Sequence, residues 1–239
     1  MLQWIQTADG SCTLFSEKYQ ETYHSRSGAW AESQEVFLRP FLAHQTHHWR
    51  VLDIGFGLGL NWLCYVNAFL HEARHAGEPA PEHPEKNAEY PLRLDITSLD
   101  NDPEVLHLKC TQESLGCFPV LNRAFTLLDD LKVQKQITTD SLSARLIIGE
   151  AKEGLKELAR QKQRFNVILQ DPFSPKKNPD CWDENYFDLL APCCETGCLL
   201  LTYSVAKAVR NNLERTGFTA KKIKGFGSKR EQLVAIYQP

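Results

Sequence analysis

Three glycines follow a short apolar run in the stretch VLDIGFGLGLN, residues 51–61. Gly55, Gly57 and Gly59 would let the backbone turn tightly after a strand, and would let a ligand approach the N-terminus of the next helix, where Asn61 lies. A turn of this kind fits a dinucleotide, S-adenosylmethionine or a tight loop with no ligand. The glycines therefore predict a binding turn and leave its ligand open.

An acidic residue ends the next apolar run, LDITSLD at 94–100. Asp100 could accept hydrogen bonds from both ribose hydroxyls of a nucleoside cofactor at the carboxyl edge of a parallel sheet. A nicotinamide enzyme places this acid about 20 residues after the glycines. Asp100 lies further along, but an insertion at 71–91 accounts for the delay, so the spacing does not exclude NAD. After the following strand, Glu150 and Ala151 would reach the same edge and contact an adenine, with a solvated helix cap as the alternative.

A second acid is followed at once by proline in LQDPFSPKKNPDCW. Asp171 closes the predicted strand 165–171, and Pro172 disfavours any continuation of regular structure. The sequence predicts a rigid loop here that faces a ligand.

The same loop carries aromatic and basic residues that suit a nucleic acid. Phe173 and Trp182 could stack on bases, while Lys176 and Lys177 could contact phosphates. Asn178 lies between them in the chain. Ordinary packing explains Trp182 equally well.

No metal site is predicted. Cys181, Cys193, Cys194 and Cys198 lack a paired Cys-x-x-Cys spacing and precede an apolar strand, so buried or incidental thiols are favoured over zinc. The three histidines between residues 71 and 91 lie in a polar run without apolar spacing, which favours an exposed loop over a metal-binding patch.

The elements that position these residues follow from the periodicity of the apolar side chains. Short β-branched runs predict strands at residues 49–54, 94–100, 144–149, 165–171 and 197–203, and amphipathic spacing predicts helices at 60–72, 151–163 and 206–215. This alternation is typical of an α/β fold with a doubly wound, mainly parallel sheet. Two strand-like pieces around residues 225–228 predict a terminal antiparallel hairpin. Residues 1–48 would form an N-terminal cap segment with a helix at 30–42, and residues 49–239 the main domain.

Length and composition limit the classes of protein that fit. With 239 residues, of which 42% are hydrophobic, the chain can bury one sizeable core. It has no basic start followed by an apolar stretch and no apolar run of about 18 residues, which argues against export and membrane spanning. We expect a cytoplasmic protein with reduced thiols and no obligate protein partner.

Charge is unevenly distributed along the chain. The net charge is −3, and the segment from residue 196 to the end carries eight basic and two acidic residues, hence +6, which leaves −9 for the rest. Lys222, Lys229 and Arg230 in this segment could contact a polyanion, although such a run is more often solvated surface.

Taken together, these motifs resemble those of one family. The stretches VLDIGFGLGLN, SLDNDP, IIGEAKEGL, DPFSPKKNPDCWDENYFDLLA, TYSVAKAVRNNLERTGF and KGFGSKRE are similar to the methyltransferase half of the bifunctional tRNA 5-methylaminomethyl-2-thiouridine biosynthesis proteins, the MnmC type. The opening segment DGSCTLFSEKYQETYHSRSGAWAESQEVFL is similar as well, so the resemblance covers nearly the whole chain. The Asp-Pro-Phe-Ser-Pro stretch together with KGFGSKRE is far more specific than the glycines.

The resemblance implies a class I, Rossmann-like methyltransferase that uses S-adenosyl-L-methionine. Its substrate would be 5-aminomethyluridine, often 2-thiolated, at the wobble position of tRNA. Asp171 would then hold the acceptor amine and take its proton. Two features depart from the family: Glu150 stands where Asp is usual, and CCETGC replaces a Pro-Gly-Gly turn. The chain also ends at Pro239, without the family's flavin-dependent oxidase, and so resembles a stand-alone form.

Other functions stay open at this point. A nicotinamide dehydrogenase would use the glycine turn and Asp100 but would leave the Asp171 loop without a role. An aminopropyl transferase or another amine methyltransferase would share the cofactor end. A non-catalytic RNA-binding module would bind the cofactor without turnover.

Overall fold

An eight-stranded sheet forms the centre of the computed structural model, which describes residues 2–44, 47–75, 93–116, 118–227 and 230–239. The strands of the described residues are β1 (Leu2–Gln6), β2 (Cys12–Ser16), β3 (Glu21–Thr22), β4 (His48–Ile54), β5 (Arg93–Asp100), β6 (Gln136–Thr138), β7 (Leu142–Ile148), β8 (Phe165–Gln170), β9 (Cys194–Thr202), β10 (Phe218–Lys224) and β11 (Glu231–Tyr237). The α-helices are α1 (Ala29–Glu32), α2 (Arg39–Leu42), α3 (Leu60–His75), α4 (Asn122–Gln134), α5 (Ala151–Arg160), α6 (Glu184–Leu190) and α7 (Lys207–Arg215).

The large sheet has the strand order β10-β11-β9-β8-β4-β5-β7-β6. Strands β4, β5, β7, β8 and β9 run parallel to their neighbours in this group. β11 lies antiparallel between β9 and β10. The predicted doubly wound sheet with a terminal hairpin is confirmed, while the short antiparallel edge strand β6 was not predicted.

Alternating side chains on β4 explain why this strand lies at the centre. Leu52 and Ile54 pack into the apolar cluster on one face of the sheet, and Val51 packs into the cluster on the other. A parallel strand covered by helices on both faces needs apolar residues in both directions. The chain leaves β4 for β5 on one side and returns to β8 on the other, so the order reverses at β4, where α/β sheets form a crevice for ligands.

The N-terminal segment contains a small sheet that was not predicted, with strand order β1-β2-β3. Its β1–β2 turn caps α1, because Ser11 Oγ accepts hydrogen bonds from the Ala29 and Trp30 amides at 3.0 and 3.1 Å. The predicted helix at 30–42 is confirmed as α1, a π-helical turn at Ser33–Leu38 and α2. Trp30 is buried in the main apolar cluster, so this segment packs on the large sheet. The division at residue 48 stays a prediction, although His48 already begins β4.

The predicted boundaries need small corrections. Helix α3 continues to His75, and α5 ends at Arg160, earlier than predicted. β8 ends at Gln170, so Asp171 follows the strand rather than closing it. Residues 76–92, which hold most of the predicted loop insertion, lie outside the described residues. In the described part of the chain, no helix has the length and apolarity needed to cross a membrane.

Candidate active site

A cleft lies at the carboxyl ends of β4, β5, β7 and β8 and encloses about 640 Å³, part of it open to solvent. The cleft brings together eight of the residues predicted from the sequence: Gly55, Gly57, Asp100, Glu150, Ala151, Asp171, Phe173 and Asn178.

Close contacts at two positions of the turn leave no room for a side chain, so these positions require glycine. Gly55 and Gly57 have φ angles of +88° and +52°. A Cβ on Gly55 would lie 2.7 Å from the Asp171 carbonyl oxygen, and one on Gly57 would lie 2.8 Å from Tyr23 Cδ1. Gly59 does not line the cleft, because the space beside it is filled by Leu128 Cδ1 at 2.9 Å. Its predicted ligand contact stays a prediction.

Asp100 lies deep in the cleft with both carboxylate oxygens oriented by the backbone. Oδ2 accepts a hydrogen bond from the Gly57 amide at 2.7 Å, and Oδ1 accepts one from the Asp102 amide at 2.9 Å. Burial raises the pKa of Asp100 to about 6, although these hydrogen bonds act in the opposite direction. Each oxygen keeps a second lone pair, so the carboxylate can still accept the two hydroxyls of a ribose.

Glu150 is exposed on the rim, where it accepts a hydrogen bond from Asn101 Nδ2 at 3.3 Å. Its side chain does not cap α5, although it directly precedes that helix. Glu150 nevertheless occupies the N-cap position of α5 and is exposed, so the solvated cap and the adenine contact both stay open. Together with the glycine turn, Asp100 and the adjacent Ala151, the cleft fits a nucleoside cofactor.

Asn61 is buried and does not line this cleft, and its predicted cofactor contact stays a prediction. Its Nδ2 donates to Asp171 Oδ2 at 2.7 Å. The Asp171 amide in turn donates to the Ile54 carbonyl at 3.0 Å. Asn61 and β4 thus hold the Asp171 carboxylate at the floor of the cleft.

A second cleft also borders Asp171 and encloses about 540 Å³, part of it open to solvent. It is lined by Glu21, Thr22, Tyr23, His24, Ser25, Glu32, Asp171, Pro172, Phe173 and Tyr203. Tyr23, His24, Asp171, Pro172 and Phe173 line both clefts. Asp171 therefore lies where the two clefts meet.

Sequence reasoning missed the N-terminal residues of this site. Tyr19 stacks on Phe173 with ring centroids 4.2 Å apart, and Tyr23 meets the same ring edge-on at 5.0 Å. Tyr23 OH also donates to Asp102 Oδ2 at 3.4 Å. The available signal was the density of aromatic and polar residues in the stretch YQETYHS, within a segment predicted only as a cap.

The residues predicted to contact a nucleic acid differ in their exposure. Lys176, Lys177 and Arg230 are exposed, and Lys229 lies outside the described residues. Trp182 is buried, and its Nε1 donates to the Phe173 carbonyl at 2.8 Å. Its predicted stacking on a base is wrong, because the ring supports the loop from inside.

Lys222 lies on the edge strand β10 and forms an ion pair with Glu231 Oε2 at 2.7 Å. Lysines on an edge strand also prevent pairing with other chains. The described part of the hairpin turn lies against the N-terminal segment, because a Cβ on Gly227 would lie 2.6 Å from Ser27 Cβ, two residues after the cleft-lining Ser25. Arg230 follows this turn and is exposed, so it is better placed than Lys222 to contact a nucleic acid.

The cysteines near the loop are thiols in apolar surroundings. Cys193, Cys194 and Cys198 are buried, and burial raises the pKa of the Cys193 thiol to about 12. Among the described residues, no group of three or more His, Cys, Asp and Glu side chains is arranged to hold a metal ion.

Comparison with known proteins identifies related chains. A family described as S-adenosyl-L-methionine-dependent methyltransferase matches residues 121–238. The tRNA 5-methylaminomethyl-2-thiouridine biosynthesis bifunctional protein MnmC of Polaromonas naphthalenivorans is 28% identical over 246 residues, covering 100% of this chain and 36% of that protein. The MnmC protein of an Azoarcus species is 32% identical over 233 residues, covering 94% and 34%. The chain thus spans about a third of the length of these relatives.

Solved structures agree with the observed fold. MNMC2 from Aquifex aeolicus superposes with a TM-score of 0.73 at 27% identity, covering 100% of this chain and 72% of that one. A spermidine synthase superposes with a TM-score of 0.58 at 11% identity, covering 100% and 70%. The second likeness concerns the fold alone.

Proposed function

We propose that the chain, whose residues 121–238 match the S-adenosyl-L-methionine-dependent methyltransferases, methylates the exocyclic amine of 5-aminomethyluridine, or its 2-thio form, at the wobble position of tRNA. The observation that carries this proposal is that two clefts meet at Asp171. Methyl transfer needs the donor and the acceptor to meet at one point, and two clefts that share Asp171 support such an arrangement.

The choice of substrate is supported by the relatives. The curated relatives named above carry the name of an enzyme of tRNA 5-methylaminomethyl-2-thiouridine biosynthesis, and they align with 94–100% of this chain. Methylation of an aminomethyl group is the step of such a synthesis that a methyltransferase fold would perform. A substrate of this kind also fits a cytoplasmic protein.

The first cleft would hold the cofactor. The Gly55–Gly57 turn leaves room for its close approach, Asp100 would accept the ribose hydroxyls, and Glu150 with Ala151 would lie against the adenine. When bound, the cofactor supplies an electrophilic methyl group on sulfur: the amine lone pair forms the N–C bond, and the electron pair of the broken C–S bond stays with sulfur. This family uses S-adenosyl-L-methionine, so the nicotinamide alternative is set aside.

Asp171 would act on the acceptor amine. A one-step displacement needs a neutral nitrogen and good alignment more than a strong base. The carboxylate, held by Asn61, would orient the amine through a hydrogen bond and take its surplus proton. Tyr203 OH donates to the Pro172 carbonyl at 2.8 Å, which keeps the loop in place.

The tRNA would be held around the mouth of the second cleft. Phe173 offers a ring for a base, and Lys176, Lys177 and Asn178 of the same loop could contact the backbone. Arg230 and Lys229 would add contacts from the hairpin.

A labelling experiment tests the proposal. The chain is incubated with methyl-labelled S-adenosylmethionine and tRNA from a strain that lacks the modification, followed by nucleoside mass analysis. We expect label in 5-methylaminomethyluridine or its 2-thio form. Cofactor binding without label transfer would favour the non-catalytic RNA-binding module, and transfer only from decarboxylated cofactor would favour an aminopropyl transferase.

A further inference from the structure

A buried histidine lies at the boundary of the two clefts. His24 is only 5% exposed and lines both of them. Its backbone amide donates to Thr13 Oγ1 at 3.0 Å, but neither Nδ1 nor Nε2 of its ring has a hydrogen-bond partner among the described residues. Buried side-chain nitrogens are nearly always hydrogen-bonded. A polar group of a bound ligand could therefore supply the hydrogen bond that these ring nitrogens lack.

The imidazole is uncharged near neutral pH. Burial lowers the pKa of His24 to about 4, and the opposing effect of the nearby Glu32 carboxylate is smaller. A neutral imidazole has one N–H donor and one nitrogen with a free lone pair. His24 can therefore accept a hydrogen bond from an amine without repelling a positive charge.

The charges around His24 select the class of ligand. Glu21, Glu32 and Asp171 line the second cleft, and among the described residues that line it none is Lys or Arg. Two of the carboxylates are fixed: Glu21 accepts from Ser174 Oγ at 2.9 Å, and Glu32 accepts from the Ser25 amide at 2.7 Å. Such a lining attracts an organic amine in its ammonium form and repels phosphates and carboxylates. The bound ammonium group would give one proton to Asp171, which leaves a neutral nitrogen with a lone pair for the attack.

We propose that the second cleft binds the amine end of the methyl acceptor and that His24 positions the attacking nitrogen by accepting one of its N–H hydrogens. The inference rests on the proposed function and adds an acceptor site to it. A hydrogen bond from one N–H to His24 and another to Asp171 would fix two directions on the nitrogen. Its lone pair would then be oriented toward the first cleft, where the methyl group would be presented.

Two variants of His24 separate the hydrogen bond from the shape of the side chain. His24→Phe keeps a ring and removes the acceptor, whereas His24→Gln restores a donor and an acceptor. His48→Phe is the matched control, because His48 is paired with Asp95 at the opposite edge of the sheet. Melting temperatures of all three proteins verify that they are folded.

Single-turnover methyl transfer to aminomethyluridine tRNA is the first measurement. We expect His24→Phe to lower the rate constant about 10- to 100-fold, with S-adenosylmethionine affinity kept within about twofold. His24→Gln should recover a large part of the rate, and His48→Phe should equal the wild type. Equal rates for His24→Phe and wild type would overturn the inference while leaving the proposed function intact.

The second measurement does not depend on turnover. Imidazole ¹H–¹⁵N spectra of the wild-type protein are recorded with 5-aminomethyluridine and with 5-hydroxymethyluridine, each in the presence of S-adenosylhomocysteine. We expect the His24 signals to shift with the amine and much less with the alcohol. If wild type transfers no methyl group, the proposed function fails, but these spectra still test whether the second cleft binds an amine. A shift specific to the amine supports amine binding beside His24, and unchanged signals overturn it.

Discussion

Hydrogen bonding and burial act in opposite directions on the charge of the Asp100 carboxylate. Its carboxylate receives backbone N–H groups from Gly57 and Asp102, yet burial raises its pKa to about 6. The charged form is therefore kept ready for a hydrogen-bonding ligand at a cost in solvation. A ribose would offer two more donors to this carboxylate.

We predict that Asp100→Asn weakens S-adenosylmethionine binding by about 2–3 kcal/mol at pH 8, because two charge-assisted hydrogen bonds are lost or weakened. Isothermal titration calorimetry measures this change. Asp95→Asn is the matched control, since Asp95 lies near the amino end of the same strand, β5, and Asp100 lies at its carboxyl end. Equal affinity in a folded Asp100→Asn protein would remove this residue from the cofactor site.

The raised pKa of Asp100 predicts a pH dependence of cofactor binding. Above about pH 6 the carboxylate of the free protein is ionised and can accept both hydroxyls; below about pH 6 it is protonated, and binding must first remove that proton. We therefore expect affinity to fall as pH decreases from 7 to 5, by up to about tenfold per pH unit. Asp100→Asn should lack this dependence, and an equally steep fall in the variant would assign the titration to another group.

At the scale of elements, β4 carries an ionisable group inside the sheet. Asp53 is fully buried between two apolar residues of the strand, and Ser98 Oγ donates to its Oδ2 at 2.9 Å. Burial raises the pKa of Asp53 to about 7, and the neighbouring Asp100 charge adds to this effect. The folded state therefore binds a proton at Asp53 in a pH range where the unfolded chain does not.

We predict that Asp53 makes the folded protein less stable as pH rises from about 4 to 7. Because the folded-state pKa is above the unfolded value, the loss approaches about 1.4 kcal/mol per pH unit within this window. The free energy of unfolding of Asp53→Asn minus that of wild type should therefore increase with pH and level off above about pH 7. Denaturant titrations at several pH values measure it.

Asp140→Asn, in the exposed turn before β7, serves as the control for that series. Its difference from wild type should stay nearly constant from pH 4 to 8. A constant difference for Asp53→Asn as well would mean that the Asp53 carboxyl does not titrate in this range.

The central strands could be predicted because their apolar runs reflect burial on both faces. WRVLDI and FNVILQ correspond to β4 and β8 within a residue or two. β6 has three residues, and β3 has two, so neither contains enough alternation to be recognised. The β1–β3 sheet was hidden because its stability depends on packing against the main core, which periodicity does not report.

The cofactor half of the site was more predictable than the acceptor half. Gly55, Gly57 and Asp171 follow strands and Asp100 ends one, and parallel strands bring their carboxyl ends together. His24, Glu32 and Tyr23 reach the site through long-range packing of the N-terminal segment. No local pattern relates Tyr23 to Asp102, which it contacts across 79 positions of the chain.

At the scale of the whole molecule, the charge pattern is compatible with an RNA substrate that touches only part of the surface. The body of the chain is acidic, the C-terminal segment is basic, and the described hairpin turn lies against Ser27. Phosphate contacts around this turn would leave the acidic second cleft free for the amine.

We predict that tRNA affinity falls about 50- to 150-fold between about 50 and 200 mM salt, because the four phosphate contacts proposed for Lys176, Lys177, Lys229 and Arg230 would release counterions. Arg230→Glu should weaken tRNA binding and reduce this salt dependence. Lys222→Glu makes the same change of charge and places a second acid beside Glu231. It should weaken tRNA binding less than Arg230→Glu does, because Lys222 is already paired with Glu231. Filter binding measures both.

Arg123→Glu on α4, beside the β6–β7 edge of the sheet, is the control of equal charge change. It should leave tRNA affinity near the wild-type value, and no variant should alter S-adenosylmethionine affinity. Equal effects of Arg123→Glu and Arg230→Glu would show that binding follows net charge and not the hairpin.

The central claim is that donor and acceptor meet at Asp171, and the single-turnover rate of Asp171→Asn tests it most directly. The variant keeps the size of the side chain and an oxygen for Asn61, but it loses the charge and the capacity to take a proton. We predict that methyl transfer to aminomethyluridine tRNA slows by about 10²–10⁴-fold, while the affinities for S-adenosylmethionine and tRNA stay within about tenfold. A rate near that of wild type would contradict the account and make Asp171 a structural anchor of its loop.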